Sequence, residues 1–243
     1  MDFTIQKYAE LLEALRSYDF ESLTLRHDVD LKPANSLRIA KMEAARDMHG
    51  IYYFRAVPES WDETIIKEIA ALGHEIGYHY ESLTTCNGDI DAAYQDFCRN
   101  LERLRDLVPV KSICMHGSPR SPYDSKDIWK KYDYHALGIE SEPYLDTDFS
   151  KVFYLTDTGR RWDGYKVSVR DKIPKYQEEW QEKGLTFHTT DDLIAGFYDE
   201  RIPKNLMITV HPQRWNPVGI QWTEEWVMQS AKNIVKRMLI KHK

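Results

Sequence analysis

Two aspartates, Asp28 and Asp30, come one residue apart directly after the strand-like run 22–25. Side chains alternate between the two faces of a strand, so both carboxylates are predicted to point to the same side. Neighbouring carboxylates repel each other unless a cation or a shared proton relieves the repulsion. The pair therefore suits a metal ligand beside a general base. The alternative is that both aspartates only cap a turn, where Asp is common.

Four residues that can bind metal or transfer protons come at or just past the ends of four different predicted strands. They are Asp28, His79, His116 and His211. In a parallel α/β barrel the active site forms at the C-terminal ends of the strands. A single histidine at a strand end is usually structural, but four such placements together predict one shared polar site.

The elements that must position these residues alternate between strand and helix patterns. Predicted strands cover 22–28, 51–55, 74–80, 112–116, 136–140, 152–156 and 206–211, and predicted helices cover 33–48, 63–72, 91–107, 175–183, 190–198 and 223–241. Repeated strand–helix units favour a parallel sheet covered by helices. About seven such units predict an α/β fold of the distorted (β/α)7 TIM-like barrel type, closed or nearly closed.

The bulk composition narrows the class of protein. A chain of 243 residues without a long linker is predicted to form one domain, 1–243, and its net charge of -6 argues against a general nucleic-acid or anionic-membrane binder. No apolar run approaches the roughly 20 residues that span a bilayer, and residues 1–7 do not resemble a signal peptide. These features predict a cytoplasmic location, in which the three cysteines remain reduced.

Four segments, in order along the chain, resemble the motifs of the NodB-homology or polysaccharide deacetylase superfamily (carbohydrate esterase family 4-like). Segment 25–30 is similar to its first motif, 73–79 to the run into its second, 120–123 to its third, and 207–211 to the strand with its last catalytic histidine. The resemblance implies a NodB-type barrel and a divalent metal ion, with zinc expected. It also implies hydrolysis of N-acetyl amides on an amino-sugar or glycan precursor.

The resemblance implies roles for individual residues. Asp28 would be the general base, and His211 the general acid that protonates the leaving amine. Arg120 would orient the catalytic aspartate, and Tyr123 would supply part of the oxyanion hole.

The resemblance implies one aspartate and two histidines as metal ligands, and this chain matches only two of them, Asp30 and His79. The family places a second histidine four residues after the first, and this chain has Leu83 there. Glu81 is one candidate replacement, because it comes two residues after His79 on an extended segment and zinc accepts a mixed His and carboxylate set. His116, from the next strand, is a second candidate. The third alternative is that the metal has been lost, and hydrolysis with it.

Aromatic and basic residues follow two of the predicted strands. The candidate substrate-binding residues are Arg161, Trp162, Arg214 and Trp215. Arginines at a barrel mouth bind phosphate or carboxylate, and tryptophan stacks on the apolar face of a sugar ring. The alternative is that the tryptophans pack the barrel rim and the arginines pair with Asp157 and Asp163.

These observations predict a metal-dependent hydrolase of non-peptide carbon–nitrogen bonds. Its expected partner is a small-molecule or glycan substrate with an amino sugar, with no nucleic acid and no membrane span. Two alternatives remain open: a non-catalytic carbohydrate-binding relative without metal, and a metal-independent amide or ureide hydrolase. Fold alone does not decide among them.

Overall fold

The computed structural model describes residues 1–118, 121–162 and 173–241, with side chains described through residue 234. Its strands are β1 (Ser22–Val29), β2 (Ile51–Phe54), β3 (Glu75–Tyr80), β4 (Val110–Met115), β5 (Phe153–Thr156) and β6 (Asn205–Val210). Six of the seven predicted strands are therefore confirmed to within about two residues at each end, the usual uncertainty of such boundaries.

The strands form one parallel sheet in the order β4-β3-β2-β1-β6-β5, which confirms the α/β class. This is the strand order of a (β/α) barrel unrolled between β4 and β5. Across the described residues β4 and β5 do not pair, so the sheet is not closed. A single parallel bridge from Ser112 to Ser141 extends it beyond β4.

The strand predicted at 136–140 is wrong. The segment forms a short 3₁₀ helix, His135–Leu137, and only the bridge at Ser141 remains of the seventh strand. Gly138 follows the 3₁₀ helix with φ of 71°, and this left-handed conformation interrupts an extended run.

The helices connect the strands and pack around the sheet. They are α1 (Ile5–Ser17), α2 (Pro33–Ala44), α3 (Glu63–Ala71), α4 (Ser82–Thr85), α5 (Ile90–Arg105), α6 (Pro143–Asp146), α7 (Pro174–Glu182), α8 (Thr190–Tyr198) and α9 (Ile220–Lys241). Helix α1 was not predicted, and α2 ends four residues before the predicted Met48. Among the described residues, no helix is both long and apolar enough to cross a membrane.

The alternation of side chains along β1 separates two environments. His27 points to the helices, where its ring stacks on Tyr52 of β2 at 4.0 Å between centroids. Arg26 and Asp28 point to the opposite, inner side, and the Arg26 guanidinium lies 5.7 Å from the ring centre of Tyr53. The inner side therefore carries polar groups up to the C-terminal end of β1, as the two aspartates predicted.

Gly77 of β3 gives the Tyr53 ring its space. A Cβ atom on Gly77 would lie 2.4 Å from two ring carbons of Tyr53 and 3.1 Å from the carbonyl oxygen of Ser112. Any side chain there would displace the ring. The glycine is thus required by close packing on the inner side of the sheet.

Candidate functional site

Asp28 is held by a guanidinium from its own strand. Arg26 Nε donates to Asp28 Oδ1 at 2.8 Å, and Nη2 donates to Oδ2 at 2.6 Å. Both side chains are almost completely buried. Arg26 also donates to the Tyr144 hydroxyl at 3.3 Å. This two-pronged contact fixes the plane of the Asp28 carboxylate.

Asp30 lies just past the end of β1, next to two histidines from β3 and the segment after β4. Its Oδ1 is 3.6 Å from Nε2 of His79 and 3.6 Å from Nε2 of His116. One ligand atom from each of the three side chains lies within 4.8 Å of the others. The three residues therefore form a candidate metal-binding group.

Both imidazoles present the nitrogen that a metal would need. Nδ1 of His79 lies 2.9 Å from the carbonyl oxygen of Cys114, and Nδ1 of His116 lies 2.9 Å from Oε2 of Glu81. A carbonyl and a carboxylate only accept hydrogen bonds, so each Nδ1 is the donor. The Nε2 lone pairs are then free to face Asp30, which is the usual orientation of metal-binding histidines.

Glu81 supports His116 from behind. Its Oε1 accepts from Arg55 Nε at 3.0 Å and from Nη2 at 2.6 Å, while Oε2 accepts from His116. Burial raises the pKa of Glu81. The hydrogen bond from His116 and the charges of His116 and Arg55 outweigh this effect and lower the pKa to about 2. Between the two candidate replacements, the geometry brings His116 to Asp30 and engages both Glu81 oxygens elsewhere.

Leu83 lies in α4 and is buried in the hydrophobic core. The position where the resembled family has its second histidine therefore points away from the polar group. His116 reaches Asp30 because β3 and β4 are paired, with His79 opposite Cys114 and His116 two residues beyond it.

The environment of Asp30 Oδ1 indicates whether these residues fit a cation. Oδ2 accepts from Gln213 Nε2 at 2.9 Å, whereas Oδ1 is buried and accepts no hydrogen bond among the described residues. Burial raises the pKa of Asp30, yet contacts with His79 and the charges of His116 and His211 hold the pKa well below its ordinary value. A buried anionic oxygen facing two imidazole nitrogens fits a divalent ion.

A second group of potential ligands, Asp28, His79 and Cys114, is fully buried beside the first. Asp28 Oδ2 lies 3.7 Å from His79 Nε2. Both Asp28 oxygens already accept from Arg26, whose positive charge opposes a cation at that point. The group that includes Asp30 is therefore the better metal site.

His211 follows β6 and is paired with Asp157, which follows β5. His211 Nδ1 lies 2.6 Å from Asp157 Oδ1, and the His211 backbone N–H donates to Oδ2 at 3.0 Å. Arg214 Nη1 and Trp215 Nε1 donate to the same carboxylate at 2.6 and 2.8 Å. Burial raises the pKa of Asp157, but the charges of Arg214 and His211 bring it below its ordinary value. Asp157 thus orients the imidazole of His211.

Two further predicted catalytic residues are Arg120 and Tyr123. Arg120 is outside the described residues. Tyr123 lies in the loop after β4, is 38% exposed, and packs its ring against Gly88, where an added Cβ would be 2.4 Å from Cε1.

The predicted substrate-binding tryptophans are buried, which corrects their assignment. Trp215 is fully buried and donates to Asp157, while Trp162 is 4% exposed and donates to Thr190 Oγ1 at 3.0 Å. Neither ring offers an open face to a sugar. Arg214 pairs with Asp157, as the alternative interpretation held, whereas Arg161 is partly exposed and Asp163 lies outside the described residues.

Four residues of the site were missed from the sequence. They are Arg26, Arg55, Asp157 and Gln213. Arg26 had a readable signal, since it shares the strand alternation of the two aspartates. Asp157 also follows a predicted strand directly, so the reasoning that selected the strand-end histidines would have selected it.

Comparison with known proteins gives little further guidance. No protein-family model and no curated protein matches the sequence. Among solved structures, the chain is similar to a mutant of BA3943, described as a CE4 family pseudoenzyme with restored enzymatic activity. The identity is 12%, the TM-score is 0.43, and the match covers 91% of this chain and 64% of that chain. A likeness this distant assigns neither a family nor an activity.

Proposed function

We propose that the chain is a metal-dependent hydrolase that removes N-acetyl groups from an amino sugar or glycan precursor. The observation that carries the proposal is the convergence of Asp30, His79 and His116 on one buried carboxylate oxygen that has no hydrogen-bond donor among the described residues. The amino-sugar part of the proposal is supported by the sequence resemblance alone.

The ion would be held by Asp30 Oδ1 and by Nε2 of His79 and of His116, and zinc is expected because it accepts this mixed nitrogen and oxygen set. A divalent ion supplies a Lewis acid that polarises a carbonyl and makes water more acidic near neutral pH. Glu81 would keep His116 in the required tautomer and orientation.

Asp28 is the proposed general base. Its Oδ2 lies 3.7 Å from His79 Nε2, so it borders the proposed metal ligands. Arg26 holds the carboxylate in one plane, and this is the positioning contact that the resemblance implied for Arg120. The base would take the proton of the attacking water.

His211 is the proposed general acid. Asp157 fixes its Nδ1, and Nε2 would hand a proton to the departing nitrogen. His211 also contributes to the lowered pKa of Asp30, the proposed metal ligand. Tyr123 remains a proposed donor to the tetrahedral oxyanion.

The test is acetate release from N-acetylglucosamine oligosaccharides by zinc-loaded protein. We expect turnover by the wild type, a loss of about 10²- to 10⁴-fold in kcat for Asp28→Asn and for His211→Ala, and no change for His49→Ala, whose side chain is exposed. Unchanged rates in both site variants would overturn the proposal.

One observation favours a second candidate, a non-catalytic carbohydrate-binding protein. Both oxygens of Asp28 accept hydrogen bonds from Arg26, and this contact competes with accepting a proton from water. Saturable oligosaccharide binding without acetate release would support this candidate. Release that survives metal chelation would instead support the metal-independent hydrolase.

A further inference from the structure

Helix α9 rests on the rest of the protein through polar residues. Glu225 and Gln229 are each 5% exposed, and Asn233 Nδ2 donates to the carbonyl oxygen of Gly159 at 2.9 Å. Residues four apart lie on one face of a helix, so the three form a single stripe. The side of α9 that is turned to the protein therefore carries these polar residues and the half-buried Trp222, whose Nε1 donates to the Asp2 carbonyl oxygen at 2.8 Å.

The opposite side of α9 is apolar and exposed. Ile220, Val227 and Ile234 are spaced by seven residues, two helical turns, and are 78%, 54% and 57% exposed. We call these three residues the α9 apolar face; Trp226 and Met228, 51% and 42% exposed, flank it. Exposed apolar residues at this spacing, on the side of the helix away from the protein, indicate that another surface covers them.

The charge of this part of the chain is opposite to that of the rest. Residues 226–243 contain five Lys or Arg and no Asp or Glu, so the net charge of -6 divides into +5 for this segment and -11 for residues 1–225. The net charge that argued against binding to an anionic membrane is thus the sum of two parts of opposite sign. A second copy of α9 would bring the same positive charge, which disfavours self-association through this helix.

The location of α9 relates it to the candidate site. Asn233 contacts Gly159, which lies in the loop after β5, two residues beyond Asp157. Asp157 holds His211 at the C-terminal end of the sheet. Helix α9 therefore packs at the same end of the sheet as the proposed chemistry.

We infer that the α9 apolar face and the basic residues of 226–243 bind the surface of an anionic phospholipid bilayer, with the helix lying in the plane of the interface. Tryptophan and aliphatic residues on one side and an excess of Lys and Arg are the composition of interfacial helices. Anionic headgroups provide the complementary charge. The inference does not depend on the reaction proposed for the site.

The test is co-sedimentation of the full chain with vesicles of phosphatidylcholine, with and without about 30 mol% phosphatidylglycerol. The wild type is expected to sediment with the anionic vesicles only, and less so at high salt. Val227→Asp/Ile234→Asp removes the apolar contact, and Lys236→Glu/Arg237→Glu reverses the charge. Each double variant is expected to lower the bound fraction about tenfold.

Two controls match these variants in chemistry. Tyr198→Asp places a charge on another exposed apolar residue, and Lys130→Glu/Lys151→Glu reverses two exposed lysines on other elements. Both are expected to bind vesicles as the wild type does, and all variants are expected to keep the wild-type circular dichroism spectrum.

Three results would overturn the inference. The first is a wild type that sediments with neither vesicle. The second is equal binding to both vesicles, or equal loss of binding in the control variants. The third is a dimer of the vesicle-free protein, detected by analytical ultracentrifugation, that Val227→Asp/Ile234→Asp dissociates; a second copy of the chain would then be the partner of the α9 apolar face.

Discussion

Arg26 and Asp28 take successive inward positions in β1, and Asp30 follows just past its end. The two neighbouring carboxylates have different hydrogen-bond partners. Asp28 has both oxygens bonded to Arg26. Asp30 keeps one oxygen without a donor among the described residues, and its pKa lies well below the ordinary value even though burial raises it. The carboxylate of Asp28 is therefore fixed in one plane, and that of Asp30 keeps an oxygen for the proposed cation.

The role of Glu81 can be separated from that of a ligand. Glu81→Gln removes the charge behind His116 but leaves Asp30 and His79 intact, so we expect zinc affinity to fall about 10- to 100-fold, as for other residues that orient metal ligands. His116→Ala is expected to abolish tight binding. Isothermal titration calorimetry with zinc measures both.

Glu140→Gln is the matched control, because Glu140 forms an exposed ion pair with Lys111 and lies outside the site. Its zinc affinity should equal that of the wild type. If Glu81→Gln lost metal as completely as His116→Ala, Glu81 itself would be the ligand and the account of His116 would be wrong.

The site was partly readable from single residues. The alternation along 22–30 correctly places Asp28 and Asp30 on one face, and the strand-end positions of His79 and His116 bring both beside Asp30. The choice between Glu81 and His116 was not readable, because it depends on the pairing of His79 with Cys114 across two strands. The sequence left open whether Trp215 binds substrate or packs the rim, and the structure places it against Asp157.

Between the elements, a buried carboxylate joins α1, α2, β1 and β2 on the outer side of the sheet. Glu43 Oε1 lies 2.8 Å from His27 Nε2 and also accepts from the Tyr8 hydroxyl, and Oε2 accepts from Tyr52 at 2.7 Å. Glu43→Gln removes the carboxylate charge that these buried partners face. We therefore expect a loss of about 3 to 5 kcal/mol in the free energy of unfolding. Urea denaturation measures it.

Glu68→Gln is the control, because the Glu68 pair with Lys41 is exposed and is expected to contribute about 1 kcal/mol or less. Equal effects of the two substitutions would contradict a special role for the buried group.

The same carboxylate predicts a dependence of stability on pH. Burial raises the pKa of Glu43, but the charge of His27 and the hydrogen bonds lower it to below the ordinary 4.5. A pKa lower in the folded state means that the stabilisation is complete above about pH 4.5 and disappears as the pH falls through the folded value. In Glu43→Gln this part of the acid destabilisation should be absent; an unchanged acid limb would contradict it.

Close packing between β2 and β3 gives another prediction. In Gly77→Ala the new Cβ would lie 2.4 Å from carbons of the Tyr53 ring, so we expect a loss of about 1 to 3 kcal/mol. The double variant with Tyr53→Leu should recover part of that loss, because the ring that clashes is gone. Strictly additive losses in urea denaturation would show that the ring is not the cause.

The helices and strands were predicted well where the hydrophobic pattern was regular, and poorly where a turn interrupted it. Hydrophobic and β-branched runs identified the six strands that pair. The run 136–140 failed because Gly138 adopts a left-handed conformation inside it. Helix α1 was overlooked, although Thr4 caps it and Leu11 and Leu15 mark its buried side.

On the scale of the whole molecule, the sheet brings one candidate site residue from each of several strands to one end. Asp30 follows β1, His79 lies in β3, His116 follows β4 and His211 follows β6. The order of the strands is that of a barrel, with no pairing of β4 and β5 across the described residues. Parallel strands thus assemble a site whose members span 182 positions of sequence, from Asp30 to His211.

The measurement that tests the central claim most directly is the metal content per chain of protein purified without a histidine tag. We predict close to one divalent ion, zinc, in the wild type and in His49→Ala, and its loss in Asp30→Ala and in His116→Ala. A wild type that takes up no metal after incubation with zinc, or a His116→Ala variant that keeps the ion in full, would contradict a metal centre built from Asp30, His79 and His116.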